Sequence, residues 1–170
     1  MKNDSTRVRR VTWENPAPGR AAAPSLSGLD FLRAIARGEL PTPPIARLMG
    51  FSIGAIEEGK VVFSVQPAEF HYNPIGTVHG GMAAALCDSA MGCAVHSQLP
   101  PGTGYTTLEL HVNYVRPITT ETGRLACTGR VVYLGGRVAT AEAKVEDAEG
   151  ALYAHATTTC LVLRPGKAVR

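Results

Sequence analysis

Between His71 and Gly92 the sequence runs HYNPIGTVHGGMAAALCDSAMG, and one acidic side chain, Asp88, stands in a stretch of small apolar residues. From Gly80 to Val95 there is no other charged residue. In a helix the neighbours of Asp88 at three and four residues' distance would be Ala84, Ala85, Met91 and Gly92, none of which can offset its charge. Burying an unpaired carboxylate costs several kcal/mol. A carboxylate kept at that cost is suited to work as a general base or as a nucleophile. The plainer reading is that the helix surfaces at Asp88 or that the carboxylate is hydrogen-bonded as a structural group. Eight residues upstream, Gly80 and Gly81 fall where the helix should begin. Backbone N–H groups and the positive end of a helix dipole would there point at open space, an arrangement that can hold a developing oxyanion.

These residues need a frame. The run from Gly80 to Val95 is apolar on every side, which predicts a buried helix. Downstream, GYTTLELHVNYVRP alternates apolar Leu108, Leu110, Val112 and Tyr114 with polar Thr107, Glu109, His111 and Asn113, which predicts a long half-buried strand. Three further strands follow in GRLACTGRVVYL, RVATAEAKVED and ALYAHATTTCLVL, joined by a two-residue turn at Gly135-Gly136 and a turn around Glu149 and Gly150. Antiparallel meander connections are expected. Upstream, FSIGAIEE and KVVFSVQP flank Gly59 as a hairpin. The segment SGLDFLRAIARG predicts a short helix with Ser27 as N-cap, Asp30 in the capping-box position and Gly38 as its stop. Pro41, Pro43 and Pro44 then break the chain before one further turn. Residues 1–25 mix charges with Pro and Ala without periodicity and are expected to form a mobile arm, leaving residues 26–165 as a single α+β domain. The long central helix is expected inside a curved antiparallel β-sheet.

Composition narrows the function classes. The 170 residues are 45% hydrophobic and 18% charged, as in a globular domain, and a net charge of +3 spread over 17 Lys and Arg makes no nucleic-acid footprint. No apolar run of a signal peptide follows Arg9 and Arg10, and no stretch has the length of a membrane span, so a cytoplasmic protein without membrane partners is expected. The four cysteines form no CxxC pair, and His71, His96, His111 and His155 have no metal-ligand spacing. Neither a metal nor another cofactor is expected.

With its spacing of Asn, Gly, HGG and Asp, the quoted segment resembles the signature of the PaaI-like acyl-CoA thioesterases of the hotdog-fold superfamily. The likeness runs from about residue 45 to 163 and includes YTTLELHVNYVRP. It implies a hotdog fold, paired protomers and hydrolysis of a thioester to the free acid and coenzyme A. An aryl- or medium-chain acyl-CoA is the expected substrate, and a homodimer sharing its active sites, or a dimer of such dimers, the expected assembly. By position, Asp88 matches the catalytic carboxylate, Gly80 the N–H that polarises the thioester carbonyl, and Asn73 the loop asparagine near the attacked carbon. Ser89 falls where the family often has a hydroxyl beside the acid. Each has a plainer alternative: Asn73 can brace a turn, and a helical Ser commonly bonds back to its own backbone. His79 and Gly81 are expected on the substrate side, His79 as a structural hydrogen-bonding group rather than a base. Arg116 and Arg137, with Lys144 behind them, are the cations expected to meet the coenzyme A phosphates, although solvated strand-end charges are the plainer reading of each. A hotdog hydratase and a non-catalytic acyl-CoA-binding protein are the competing functions.

One geometric consequence needs no family. Eight residues of helix span about 12 Å, so a carbonyl carbon within about 3 Å of a base at Asp88 cannot also meet the Gly80 N–H of the same chain. Two chains must share each site.

Overall fold

The chain's most apolar run folds as its longest helix, and six strands of one sheet curve around it. The computed structural model describes residues 6–164. In chain order the elements are α1 (Ala17–Ala22), α2 (Gly28–Ala36), α3 (Pro44–Met49), β1 (Phe51–Glu57), β2 (Lys60–Val65), α4 (Gly80–Ser97), β3 (Gly104–Tyr114), β4 (Leu125–Leu134), β5 (Val138–Glu146) and β6 (Leu152–Leu163). The hotdog architecture expected from the sequence, a central helix in an antiparallel sheet, is present.

Small residues make the wrapping possible. A Cβ on Gly129 of β4 would collide with the Ala90 backbone of α4, so glycine there lets helix and sheet approach at backbone distance. Leu86, Cys87, Ala90, Met91, Ala94 and Val95 of α4 are buried against the sheet, with Val61, Leu125, Cys127 and Val145 among the residues they meet. The helix is not buried all round, however. Gly81 is exposed, and Ala84, Ala85, Asp88, Ser89, Cys93 and His96, recurring every three or four residues, are half-buried. This stripe is covered only in part by α2, so Asp88 lies where the helix comes toward the surface of the chain.

The strand order is β1-β2-β4-β5-β6-β3. The expected meander holds for β4, β5 and β6, but β3 does not join it as β4's neighbour. It crosses to the far edge, where among the described residues it pairs with β6 alone and leaves its other edge open. Nor is its alternation continuous. The register with β6 shifts between Thr107 and Glu109, and the bulge turns Leu108 outward to 59% exposure. Before the bulge Tyr105 and Thr107 face α4; after it Leu110 and Val112 do, and Tyr114 packs on Gly80. One extra residue thus changes the parity of the strand. The turn between β4 and β5 has three residues, Gly135 to Arg137, closed by the Gly135 N–H donating to the Val138 carbonyl at 2.8 Å.

Upstream of β1, α2 starts at the predicted cap: the Ser27 hydroxyl accepts from the Asp30 N–H at 3.1 Å. Residues 6–25, which show no period in the sequence, carry α1 with Gly19 buried, and Arg9 reaches the end of α3. Residues 1–5 of the arm and residue 165 of the domain expected from the sequence lie outside the described residues.

Candidate functional site

The bulge in β3 brings a hydroxyl to the odd carboxylate. Thr107 Oγ1 donates to Asp88 Oδ1 at 2.8 Å, so the half-buried acid is oriented from the strand rather than by a cation. Asp88 and Ser89 open into a cavity of about 360 Å³ whose walls are largely apolar, among them Leu32, Ile35, Phe51, Ile53 and Phe63. Such a volume suits a small apolar ligand segment. The thiols and the phenol nearest the acid are kept neutral. Burial, helped by the nearby Asp88 charge, pushes the Cys93 thiol up to about 12, and burial likewise raises the Cys160 thiol and the Tyr105 phenol. A thiol held that high does not supply a thiolate near pH 7. That leaves Asp88 as the carboxylate that opens into this cavity.

Ser89 shares the cavity but donates its proton to the Ala85 carbonyl at 2.8 Å, the back-bonding common for a helical serine. Its oxygen can still accept. The hydroxyl on the acid is Thr107, which sequence reasoning missed: the two are 19 residues apart, and only the bulge and the sheet bring them together.

Gly80 opens into a different cleft of about 350 Å³, lined by Thr77, His79, Tyr114, Arg116 and Pro117 among others. His79 is the N-cap of α4, and its Nδ1 accepts from the Gly81 N–H at 2.9 Å. That bond fixes the histidine as a structural cap and occupies the Gly81 donor. The Gly80 N–H, by contrast, has no acceptor among the described residues. A side chain at Gly80 would press on the Tyr114 ring at 3.0 Å, so glycine keeps this helix start close to the strand.

Asn73 braces the preceding loop. Its Oδ1 accepts from the N–H groups of Ile75 and Thr77, and its amide donates to Thr77 Oγ1. With all of these bonds made, it sets the path of the chain into the helix start.

Arg116 borders the Gly80 cleft, with its guanidinium 5.5 Å from the Tyr153 ring. Arg137 is elsewhere. Its carbonyl accepts from Val162 at one end of β6, whereas the Arg116 N–H points to Tyr153 at the other, roughly 30 Å away along a strand. Within the chain the structure brings together Gly80 with Arg116, and Asp88 with Ser89, but does not bring these two pairs together and leaves Arg137 apart from Arg116.

Among the described residues no group of three or more His, Cys, Asp or Glu is placed to hold a metal ion, and no helix is long and apolar enough to cross a membrane.

The thioesterase superfamily model matches residues 75–154, which include Gly80, Asp88 and Thr107. A protein of Halobacterium salinarum assigned as an esterase is 43% identical over 72 residues, 41% of this chain, and the match spans only 46% of that protein's length. The 1,4-dihydroxy-2-naphthoyl-CoA hydrolase of Listeria monocytogenes is 24% identical over 99 residues, 58% of this chain and 79% of its own. Among solved structures, a phenylacetic acid degradation-related protein of Ralstonia eutropha, assigned as a thioesterase, superposes with a TM-score of 0.69 at 30% identity, covering 76% of this chain and 97% of its own. With a matched family model, a relative aligned over nearly its whole length and the same helix-in-sheet fold, the chain belongs to the hotdog-fold thioesterase superfamily.

Proposed function

We propose that this protein hydrolyses the thioester of an aryl- or medium-chain acyl-CoA, and that it does so as a homodimer whose sites each combine Gly80 of one protomer with Asp88 of the other. The observation that carries this reading is the division of the chemistry between two clefts of one chain: the free helix-start N–H and Arg116 line one, the carboxylate and the apolar cavity the other. Neither cleft holds a complete site. The open edge of β3 and the half-covered stripe of α4 are surfaces through which a second copy can pair.

In the paired arrangement the thioester oxygen accepts from the Gly80 N–H, whose position at the start of α4 adds the favourable end of the helix dipole to the hydrogen bond. Asp88, oriented by Thr107, either takes a proton from water as that water attacks the carbonyl carbon, or attacks the carbon itself to give an anhydride that water then opens. Coenzyme A leaves as the thiolate in both routes. Arg116, exposed beside the Gly80 cleft, is the cation available to the anionic carrier. The apolar cavity next to Asp88 takes the acyl group, and its size favours a ring or a medium chain. That the Listeria relative is named for hydrolysis of an aryl-CoA supports the same choice.

A panel of acyl-CoAs with a thiol-detecting dye tests the proposal. Coenzyme A release is expected from aryl or medium-chain substrates without added metal and in the presence of a chelator. Folded protein that releases none across the panel would instead be an acyl-CoA-binding protein, and loss of activity on chelation would overturn the metal-free mechanism.

A further inference from the structure

The cavity that holds Asp88 has two walls of different construction. One belongs to the core, with Phe51, Ile53 and Phe63 from β1 and β2. The other is helical, with Leu32 and Ile35 from α2 and Ile45, Ala46 and Arg47 from α3. Of the two helices, α2 is fastened to the end of α4. The Gly28 N–H donates to the Leu99 carbonyl at 3.0 Å, any side chain at Gly28 would collide with the His96 carbonyl, and the Phe31 ring meets the edge of His96 at 5.6 Å. The six residues of α3 have no comparable seat. Only Ala46 is buried, and a helix of that length does not hold itself together in water.

What holds α3 comes from far away in the chain. Arg9 Nη1 donates to the Leu48 carbonyl at 2.7 Å and Nη2 to the Arg47 carbonyl at 3.2 Å. The same guanidinium lies 3.6 Å above the Phe70 ring. A planar fork that meets two adjacent carbonyls satisfies the open acceptors at a helix C-terminus, places a cation at the negative end of its dipole and stacks on an aromatic face. His71 Nε2 donates to the next carbonyl, Met49, at 2.9 Å. Two bonds from Arg9 and one from His71 therefore fix the C-terminal end of the short helix. Arg9 also lies outside the span matched by the thioesterase family model, which begins at residue 75.

We propose that Arg9 is a positioning residue for the acyl pocket: by holding the last carbonyls of α3 it fixes the wall made by Ile45, Ala46 and Arg47 and so sets how tightly the acyl group is bound, without touching the reacting atoms. The inference rests on the reading of the Asp88 cavity as the acyl site. It gives the N-terminal arm a part in substrate selection. Lysine can replace arginine here only in part, because a single ammonium can stay over Phe70 but lacks the planar fork that meets both carbonyls at once.

The test uses the full chain with Arg9→Ala and Arg9→Lys. Hydrogen exchange of the amides over residues 44–50 is measured together with kcat, KM and the Kd of two inert thioethers, S-phenacyl-coenzyme A and S-octyl-coenzyme A. Arg9→Ala is expected to speed exchange in α3 and to raise KM and Kd roughly three- to tenfold while kcat stays within about twofold, with Arg9→Lys falling between. Unchanged exchange in α3, or a fall in kcat at constant KM and Kd, would overturn the proposal. If the wild type binds the thioethers but hydrolyses no acyl-CoA, the thioesterase reading fails while the Kd comparison still decides the role of Arg9. A wild type that binds neither thioether overturns both.

Discussion

The cleft at the start of α4 and the cleft at its middle are of nearly equal volume and opposite chemistry. At the start, the lining offers donors and a cation: the Gly80 N–H, reached by a loop braced by Asn73 and capped by His79, and Arg116 just after β3. At the middle, the lining offers an acceptor in apolar surroundings: the Asp88 carboxylate, held by Thr107 and flanked by thiols and a phenol that burial keeps protonated. One region can stabilise negative charge and the other can create a nucleophile, but a reaction needs both within a few ångströms. The difference teaches that two groups eight residues apart on one helix cannot complete a site within one chain; under the proposed pairing, a second helix running beside it in the opposite sense would complete two.

The most severe way to test this contrast is to disable one region at a time. Asp88→Asn keeps the shape of the side chain and its bond to Thr107 but removes the base, so turnover should fall by about 10²-fold or more with the fold intact. A Gly80 substitution such as Gly80→Val, which forces a side chain against Tyr114, should be comparably inactive. If the two inactive proteins are dissociated, mixed and re-paired, each mixed dimer regains one intact site. Random pairing should then restore roughly a quarter of wild-type activity. Verified mixed dimers as dead as their parents would show that the two regions do not complete each other.

A smaller effect sharpens the description of the middle cleft. Thr107→Val removes the one hydroxyl bonded to Asp88 and leaves a side chain of the same shape, and kcat should fall about tenfold, the scale of a hydrogen bond to a charged group. Thr107→Ser should recover most of it. If Ser89→Ala is the more damaging change and Thr107→Val is silent, the orienting hydroxyl is the helical one after all.

How much of this was legible follows from how local each signal is. Asp88 and Gly80 stand out because a charge in a small-residue helix and glycines at its start are visible within one window, and the Ser27 cap is a four-residue pattern. The bulge at Leu108 is hidden: the alternation of apolar and polar types runs through it unbroken, and only pairing with β6 reveals the extra residue. For the same reason the crossing of β3 to the far edge cannot be seen in the strand itself. Thr107 was missed because its partner is on another element, and the clamp by Arg9 because its bonds reach 38 and 39 residues along the chain from a segment with no period. The half-buried stripe on α4 departs from the expected wholly buried helix because hydropathy does not distinguish an apolar residue facing its own sheet from one left for a neighbour.

The smallest expected effect concerns His71, which ties the two regions together. Its carbonyl accepts from the His79 N–H at 2.8 Å, at the entry to the Gly80 cleft, and its Nε2 donates to the Met49 carbonyl at the end of α3, the helix whose Ile45, Ala46 and Arg47 line the Asp88 cavity. Its Nδ1 accepts from the Ala68 N–H at 3.1 Å and so cannot carry a proton without breaking that bond. Burial lowers its pKa below the ordinary 6.5; the Met49 carbonyl opposes the shift and the Arg9 charge adds to it. Because the unfolded chain then binds the proton at a higher pH than the folded one, stability rises with pH between the two values. The contribution is fully present above about 6.5 and is lost as pH falls through the folded value. His96, lowered by burial, acts in the same direction. The melting temperature should therefore drop by a few degrees between pH 7.5 and 5, and His71→Gln should flatten part of that slope, leaving the share of His96. Hydrogen exchange localises the effect. On acidification of the wild type, the amides at 79–82 and those at 44–50 should loosen together, since one ring anchors both. Loosening confined to one of the two segments would show that the clefts respond independently and that His71 serves only the side that moved.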